Sequence, residues 1–286
     1  MPASLLELIE AGPSAWDYAR RVLAEVSRAG NPTHLRASSR RVVGFKRKKV
    51  RFLAPIHPVS LRDAYAFEQH VKKASENRGR PVPEDWYRFP AFYYTNPNTV
   101  IGHDAPLPWP RYTKALDYEL EIAAVIGRRG IDWGADNAAN SIFGFTIFND
   151  WSARDIQRAE LKTGLGPAKS KDFGSSLGPC IITLDELADR ATGRPGVFDL
   201  AMTARVNGEE KSRGNFKDIY WSFGEIIARI SDETPLSPGE VIGSGTVGTG
   251  CLLELTKGEG PWLKPGDVVE LEIERIGVLR NTVTDV

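Results

Sequence analysis

The sequence predicts an α+β fold for this 286-residue chain, dominated by a mixed-sheet roll or barrel. Three observations lead there. Short β-prone segments are separated by Pro/Gly turns such as Asn96-Pro97, Ala105-Pro106-Leu107-Pro108 and Ser237-Pro238-Gly239. Helix-like segments are few among them, which argues against a doubly wound parallel sheet. No GxxxxGK[ST] phosphate loop is present.

Taken in order, residues 3–28 space Leu, Ile, Ala and Val as a helix does, with a break at Gly12-Pro13 and Ser14 as N-cap of the second piece. Residues 41–54 predict two short strands around a basic turn, and 60–77 a helix or loop. The Pro-rich stretch 81–90 predicts a boundary between a small N-terminal α/β region, 1–80, and the main domain, 81–286. Strands are expected at 120–126 and 142–148, and helices near 151–162, 183–191 and 219–230. The last forty residues predict strands at 239–247, 251–256 and 267–275, the last after Lys264-Pro265-Gly266-Asp267.

Composition narrows the function classes. With 41% hydrophobic and 26% charged residues the chain is an ordinary globular protein. Lys plus Arg equals Asp plus Glu at 37 each, so no net field draws it to nucleic acid or to anionic lipid. The one basic run, Arg40-Arg41 with Lys46-Arg47-Lys48-Lys49 and Arg51, reads as a solvated face. Cys180 and Cys251 lie on apolar segments without metal or redox spacing and are expected reduced and buried. Glu7 and Glu10 interrupt the N-terminal apolar stretch, unlike a signal peptide, and no apolar run nears the ~20 residues of a membrane helix. A soluble, cytoplasmic protein is expected.

The chemistry concentrates in two runs, Asp117-Tyr118-Glu119-Leu120-Glu121 and, thirty residues on, Phe148-Asn149-Asp150-Trp151. In a strand Glu119 and Glu121 share one face, with Tyr118, Leu120 and Ile122 on the other. Two carboxylates about 4 Å apart repel by roughly 4 kcal/mol at an effective dielectric near 20, so three converging acids call for a cation. Oxygen donors suit Mg²⁺, Mn²⁺ or Ca²⁺ rather than a thiophilic metal. Residues 149–157 run from a strand end into a helix start, where Arg154 and Gln157, three apart, share a face and reach the same ligand oxygens. The bland alternative is an acidic solvent-facing stripe, with Ser152 a cap and Arg154 a structural ion-pair partner.

Five ordered blocks carry a resemblance: Asp117-Tyr118-Glu119-Leu120-Glu121, residues 149–157, Lys171-Asp172-Phe173-Gly174-Ser175-Ser176, Asn215-Phe216-Lys217-Asp218-Ile219-Tyr220-Trp221, and Leu236-Ser237-Pro238-Gly239 running into Gly243-Ser244-Gly245-Thr246. Over about residues 54–277 the chain resembles the fumarylacetoacetate hydrolase family. The resemblance implies a fumarylacetoacetase C-terminal type of sheet roll, a homodimer formed through the large domain, and hydrolysis of a carbon–carbon bond in a small dicarbonyl acid. It implies Glu119, Glu121 and Asp150 as ligands of Mg²⁺, Mn²⁺ or Ca²⁺. Asp63 follows as a further ligand and His70 as the general base, because the two keep the family's seven-residue spacing. His57 is the competing histidine, and His34 and His103 sit in turn-like stretches.

By the same resemblance Lys171 and Arg154 stabilise the reacting oxygens. Lys171 follows when Phe173-Gly174-Ser175-Ser176 is matched, whereas counting back from Leu177-Gly178-Pro179 selects Lys169. Gln157, Thr246 and Tyr94 (or Tyr93) would bind substrate, and Asp117 receives no ligand role. The family's histidine is oriented by a glutamate in the loop after the SGT strand. Here that loop is Val247-Gly248-Thr249-Gly250 and holds no acid, so the sequence offers His70 no partner. Glu254 and the Glu270-Leu271-Glu272 alternation read as solvated strand faces. A dehydratase, decarboxylase or keto–enol tautomerase is therefore the alternative activity, and a metal-dependent binding protein the alternative outside catalysis.

Overall fold

The computed structural model describes residues 2–28 and 50–285. Its strands are β1 (Leu61–Ala64), β2 (Phe92–Thr95), β3 (Val100–Ile101), β4 (Pro106–Pro108), β5 (Leu116–Asp117), β6 (Leu120–Ile126), β7 (Ile142–Asp150), β8 (Ser152–Ala153), β9 (Ser175–Thr183), β10 (Ala201–Val206), β11 (Glu209–Asn215), β12 (Val241–Gly243), β13 (Val268–Ile273) and β14 (Gly277–Thr284). The helices are α1 (Leu5–Glu10), α2 (Pro13–Arg28), α3 (Glu68–Asn77), α4 (Ala135–Ala139), α5 (Arg154–Glu160), α6 (Phe223–Ser231) and α7 (Leu252–Leu255). A seven-stranded sheet runs β2-β1-β12-β6-β7-β9-β3, a five-stranded sheet β11-β10-β13-β14-β4, and β5 pairs with β8. The architecture is the expected α+β, a curled half-barrel sheet with a second sheet against it.

Strand periodicity explains how one sheet serves two cores. In β6 the even positions Leu120, Ile122, Ala124 and Ile126 enter the large core shared with the five-stranded sheet, together with Leu271, Ile273 and Leu279. The odd positions Ala123 and Val125 enter a second core with Leu61, Phe148, Val241 and Ile9 of α1. Both faces are covered, so β6 is buried throughout rather than half-solvated. In the large core Phe145 meets Phe198, Phe216 and Phe223 edge-on at 5.7, 5.5 and 5.2 Å. Phe223 opens α6, whose N-terminus is closed by a capping box between Ser222 and Glu225.

Several local expectations change. The helix break at Gly12-Pro13 stands, but Ser4 caps α1 and Pro13 itself opens α2, leaving Ser14 no cap role. Residues 60–77 hold a strand and then a helix. The Pro-rich stretch 81–90 lies between α3 and β2, and β2 pairs directly with β1. Residues 251–256 hold helix α7 instead of a strand, while β14 is an additional terminal strand. Cys251 is buried but Cys180 is exposed. Of the two strands expected at 41–54, and of the basic run, only residues 50–54 lie among the described residues, and these form no strand. No helix among the described residues is long and apolar enough to cross a membrane.

Candidate active site

Four strands bring the carboxylates together. Asp63 lies on β1, one residue before its end, Glu121 lies on β6, Asp150 ends β7, and Glu119 occupies the gap between β5 and β6. Strand β12 lies between β1 and β6, with Gly243 opposite both Asp63 and Ala123. A Cβ at Gly243 would come within 2.4 Å of Asp63 Oδ1 and 2.7 Å of the Phe148 ring. The missing side chain lets acids from the flanking strands meet across β12. Two residues on, the backbone N–H of Gly245 donates to Asp63 Oδ1 and to Glu121 Oε2, both at 3.0 Å. Gly245 has φ +77°, and a Cβ there would lie 2.6 Å from the Ala64 carbonyl oxygen. The run Gly243-Ser244-Gly245-Thr246-Val247-Gly248 has the glycine spacing of a dinucleotide loop, but no helix follows it directly and its amide serves carboxylates.

Ligand oxygens of Asp63, Glu119, Glu121 and Asp150 lie within 4.8 Å of one another, all buried. Lys171 Nζ donates to Asp150 Oδ2 at 2.7 Å and, more closely, to Glu119 Oε2. Arg154 Nη2 donates to Glu119 Oε1 at 2.8 Å. The Tyr93 hydroxyl lies 3.0 Å from Asp63 Oδ2 and closer to Asp150 Oδ2. Burial and the neighbouring Asp150 charge raise the Asp63 carboxyl to about 7. Burial also lifts Asp150, and burial with Asp63 and Glu119 lifts Glu121 well above the carboxylate range. Burial acts the same way on Glu119, but the Lys171 and Arg154 cations outweigh it and hold Glu119 at about 2. Two buried oxygens, Glu121 Oε1 and Asp150 Oδ1, have no hydrogen-bond partner among the described residues. Excess negative charge, hard donors and orphaned lone pairs together fit a divalent cation of the Mg²⁺, Mn²⁺ or Ca²⁺ kind.

His70, on α3, faces the same cleft and is buried. Its Nδ1 lies 2.5 Å from Glu254 Oε1, and Glu254 Oε2 accepts the Thr249 N–H at 3.0 Å. The acid expected to be missing is therefore supplied by α7, directly after the shortened loop. Glu254, expected on a solvated strand face, is buried. An acceptor at Nδ1 sets the tautomer that leaves Nε2 with a lone pair.

Asp117 is the residue whose importance the sequence pattern understated. It is fully buried and faces Arg154 instead of the ligand cluster. Its Oδ2 accepts Arg154 Nε at 2.8 Å and the Leu253 N–H at 3.0 Å, while Oδ1 accepts the Leu252 N–H at 2.8 Å. One carboxylate thus braces both the guanidinium and the start of the helix that carries Glu254. Asp117→Ala should cost about 3–5 kcal/mol in chemical denaturation, because it leaves a buried cation short of a partner and the amides of Tyr118, Leu252 and Leu253 without an acceptor. Asp117→Asn, which keeps an acceptor oxygen, should cost less.

The other expected residues divide cleanly. Lys171 is in the cluster, whereas Lys169 is solvent-facing and pairs with Asp172. Thr246 lines the cleft. Gln157 also lines it and accepts from Arg154 Nη1 through Oε1 at 3.0 Å, so its NH₂ remains a donor. Tyr94 is 61% exposed with Arg62 stacked 4.7 Å from its ring, and Tyr93 takes the inward place. Alternation along β2 decides between the two. Ser152 bonds the Asp150 carbonyl oxygen rather than capping α5. Asp155 accepts from Thr113 and from backbone amides. His57 is exposed, His103 pairs with Asp104 at 3.3 Å, and His34 lies outside the described residues.

Residues 60–284 match the family model described as fumarylacetoacetate (FAA) hydrolase C-terminal. The chain belongs to the fumarylacetoacetate hydrolase family. A solved fumarylacetoacetate hydrolase (EaFAH) from psychrophilic Exiguobacterium antarcticum superposes with a TM-score of 0.72 at 27% identity, covering 99% of this chain and 88% of that one. A 5-carboxymethyl-2-hydroxymuconate delta-isomerase from Mycobacterium smegmatis gives a TM-score of 0.66 at 31% identity, over 85% of either chain. Oxaloacetate tautomerase YisK of Bacillus subtilis (strain 168) is 30% identical over 292 residues, 99% of this chain and 87% of that protein. The family's named members thus include a hydrolase, an isomerase and a tautomerase.

Proposed function

We propose that this protein is a divalent-metal-dependent hydrolase that cleaves a carbon–carbon bond in a small β-diketo acid of the acylpyruvate or fumarylacetoacetate type. The supporting observation is that His70, paired with Glu254, lines one cleft of about 290 Å³ together with Asp63 and Glu119 of the four-carboxylate cluster. That volume suits a small acid. Asp63, Glu119, Glu121 and Asp150 would hold the cation, which when bound supplies positive charge that polarises the dicarbonyl and stabilises the departing enolate.

The chain's own groups do the rest. His70 Nε2 takes a proton from water, and Glu254 stabilises the imidazolium through the Nδ1–H bond. The hydroxide adds to the carbonyl carbon remote from the acid end, the adjacent carbon–carbon bond breaks, and the enolate carbon recovers a proton from His70. Two carboxylic acids leave and the base is regenerated. Lys171 keeps one N–H beyond those given to Glu119 and Asp150, and Gln157 NH₂ and the Thr246 hydroxyl add neutral donors for substrate oxygens. With Mn²⁺-loaded protein and acylpyruvates, two acids should appear in equal amounts. Recovery of the intact carbon skeleton would reject hydrolysis.

A second reading is favoured by the tautomerase relative, which aligns with 99% of this chain. The same base would move a proton between carbon and oxygen of a 2-oxo acid without cleavage. Solvent deuterium entering oxaloacetate at C3, with no loss of skeleton, would identify it.

A further inference from the structure

Beyond the cleft lies a second cavity of about 360 Å³, and the two share the walls Ala74, Arg78, Arg154, Gln157, Leu161 and Leu253. The walls of this annex alone include Arg158, Lys257 and Glu259. On α5, Arg158 follows Arg154 by four residues, so it lies on the same face about 6 Å further along the helix. The two arginines differ in their partners. Arg154 is neutralised by Asp117 and Glu119. Arg158 meets no carboxylate among the described residues; its Nη2 donates to the Gly258 carbonyl at 3.3 Å, which pins the guanidinium to the annex wall with other N–H donors unspent.

Lys257 likewise forms no ion pair among the described residues, and it is held at φ +54° just after α7. Arg78, on the shared wall, forms no ion pair among the described residues. Glu259 is the one acid among the annex walls. The annex is thus positively biased and shares six wall residues with the cleft that, on the proposed function, holds the 2-oxo acid end of a ligand.

We infer that the annex binds a second carboxylate at the far end of the substrate, with Arg158 and Lys257 as the specificity-determining residues. The substrate class is then a dicarboxylic 2-oxo acid. The inference rests on the assignment of the cleft to 2-oxo acids, and its test is built from binding so that the two stand or fall separately. A guanidinium and an ammonium converging on a carboxylate form charge-assisted bonds that a methyl group in its place cannot.

The test is titration calorimetry of the Mn²⁺-loaded full chain with 2-oxoglutarate and with 2-oxovalerate, which has a methyl group where the distal carboxylate would be. The native protein should bind 2-oxoglutarate at least about tenfold more tightly. Arg158→Gln combined with Lys257→Gln should erase that preference and leave 2-oxovalerate binding within about twofold, since both side chains reach solvent and neither touches the carboxylate cluster. Equal affinities in the native protein, or parallel loss of both ligands in the double variant, would overturn the annex. If the preference holds while acylpyruvates remain uncleaved, the annex stands and the hydrolase reading falls. Cleavage without any preference has the opposite meaning.

Discussion

Glu254→Gln is expected to lower kcat by about 10²–10⁴-fold while leaving cation affinity nearly unchanged, and His70→Ala by at least as much. The amide keeps the size of the carboxylate and still accepts from Thr249, but it cannot stabilise an imidazolium as an anion does. Glu254 is not in the four-carboxylate cluster, so a cation titration of the same variant separates a chemical defect from a structural one. A stopped reaction with unaltered Mn²⁺ binding is the expected pair of results. Activity within twofold of native in Glu254→Gln would show that the His70–Glu254 pair is a packing feature.

The second large effect is on stability. Without a cation, the protein should lose stability as pH rises from about 4 to about 7. The sign follows from the carboxylates: a group whose folded value lies above its unfolded value stabilises below the unfolded value and loses that contribution as pH climbs through the folded one. Asp63 moves from 3.8 to about 7, which corresponds to about 4 kcal/mol across that window. Glu121 and Asp150 shift in the same direction. Glu119, held at about 2, acts oppositely but only below about 4.5, at the lower edge of this window. Thermal unfolding in EDTA should therefore give a midpoint several degrees higher at pH 5 than at pH 7.5. Saturating Mn²⁺ should flatten the profile, because the cation takes over from the protons. Asp63→Asn should flatten it in EDTA as well. An EDTA profile unchanged by Asp63→Asn would mean that the acids do not load one another.

Much of this site was legible because its chemistry is local in sequence. The alternation Glu119-Leu120-Glu121, the strand end at Asn149-Asp150 and the (i, i+3) pair Arg154/Gln157 each state a residue type and a spacing. The fold class was legible for the same reason, since turn residues and β-prone runs alternate at short range. Other features depended on partners far along the chain. Glu254 was misassigned because Cys251-Leu252-Leu253-Glu254-Leu255 is short and apolar, and such runs do not separate strand from helix by period. Asp117 anchors that helix through Leu252 and Leu253, 135 and 136 residues away, so nothing beside Asp117 announces it. Tyr93 and Tyr94 are equivalent by type, and only the pairing of β2 with β1 directs Tyr93 inward.

The sequence by itself determined the donor types, their order and the family, because oxygen donors and strand alternation are written in adjacent residues. Tertiary structure decided where those donors meet. Pairing β1 and β6 with β12 brings Asp63 and Glu121 together over Gly243, a position where no side chain fits. Packing α7 against α3 gives His70 its acid, and six shared wall residues set the annex of Arg158 and Lys257 beside the cleft. Each depends on close approach of segments up to about 180 residues apart, which local spacing does not encode.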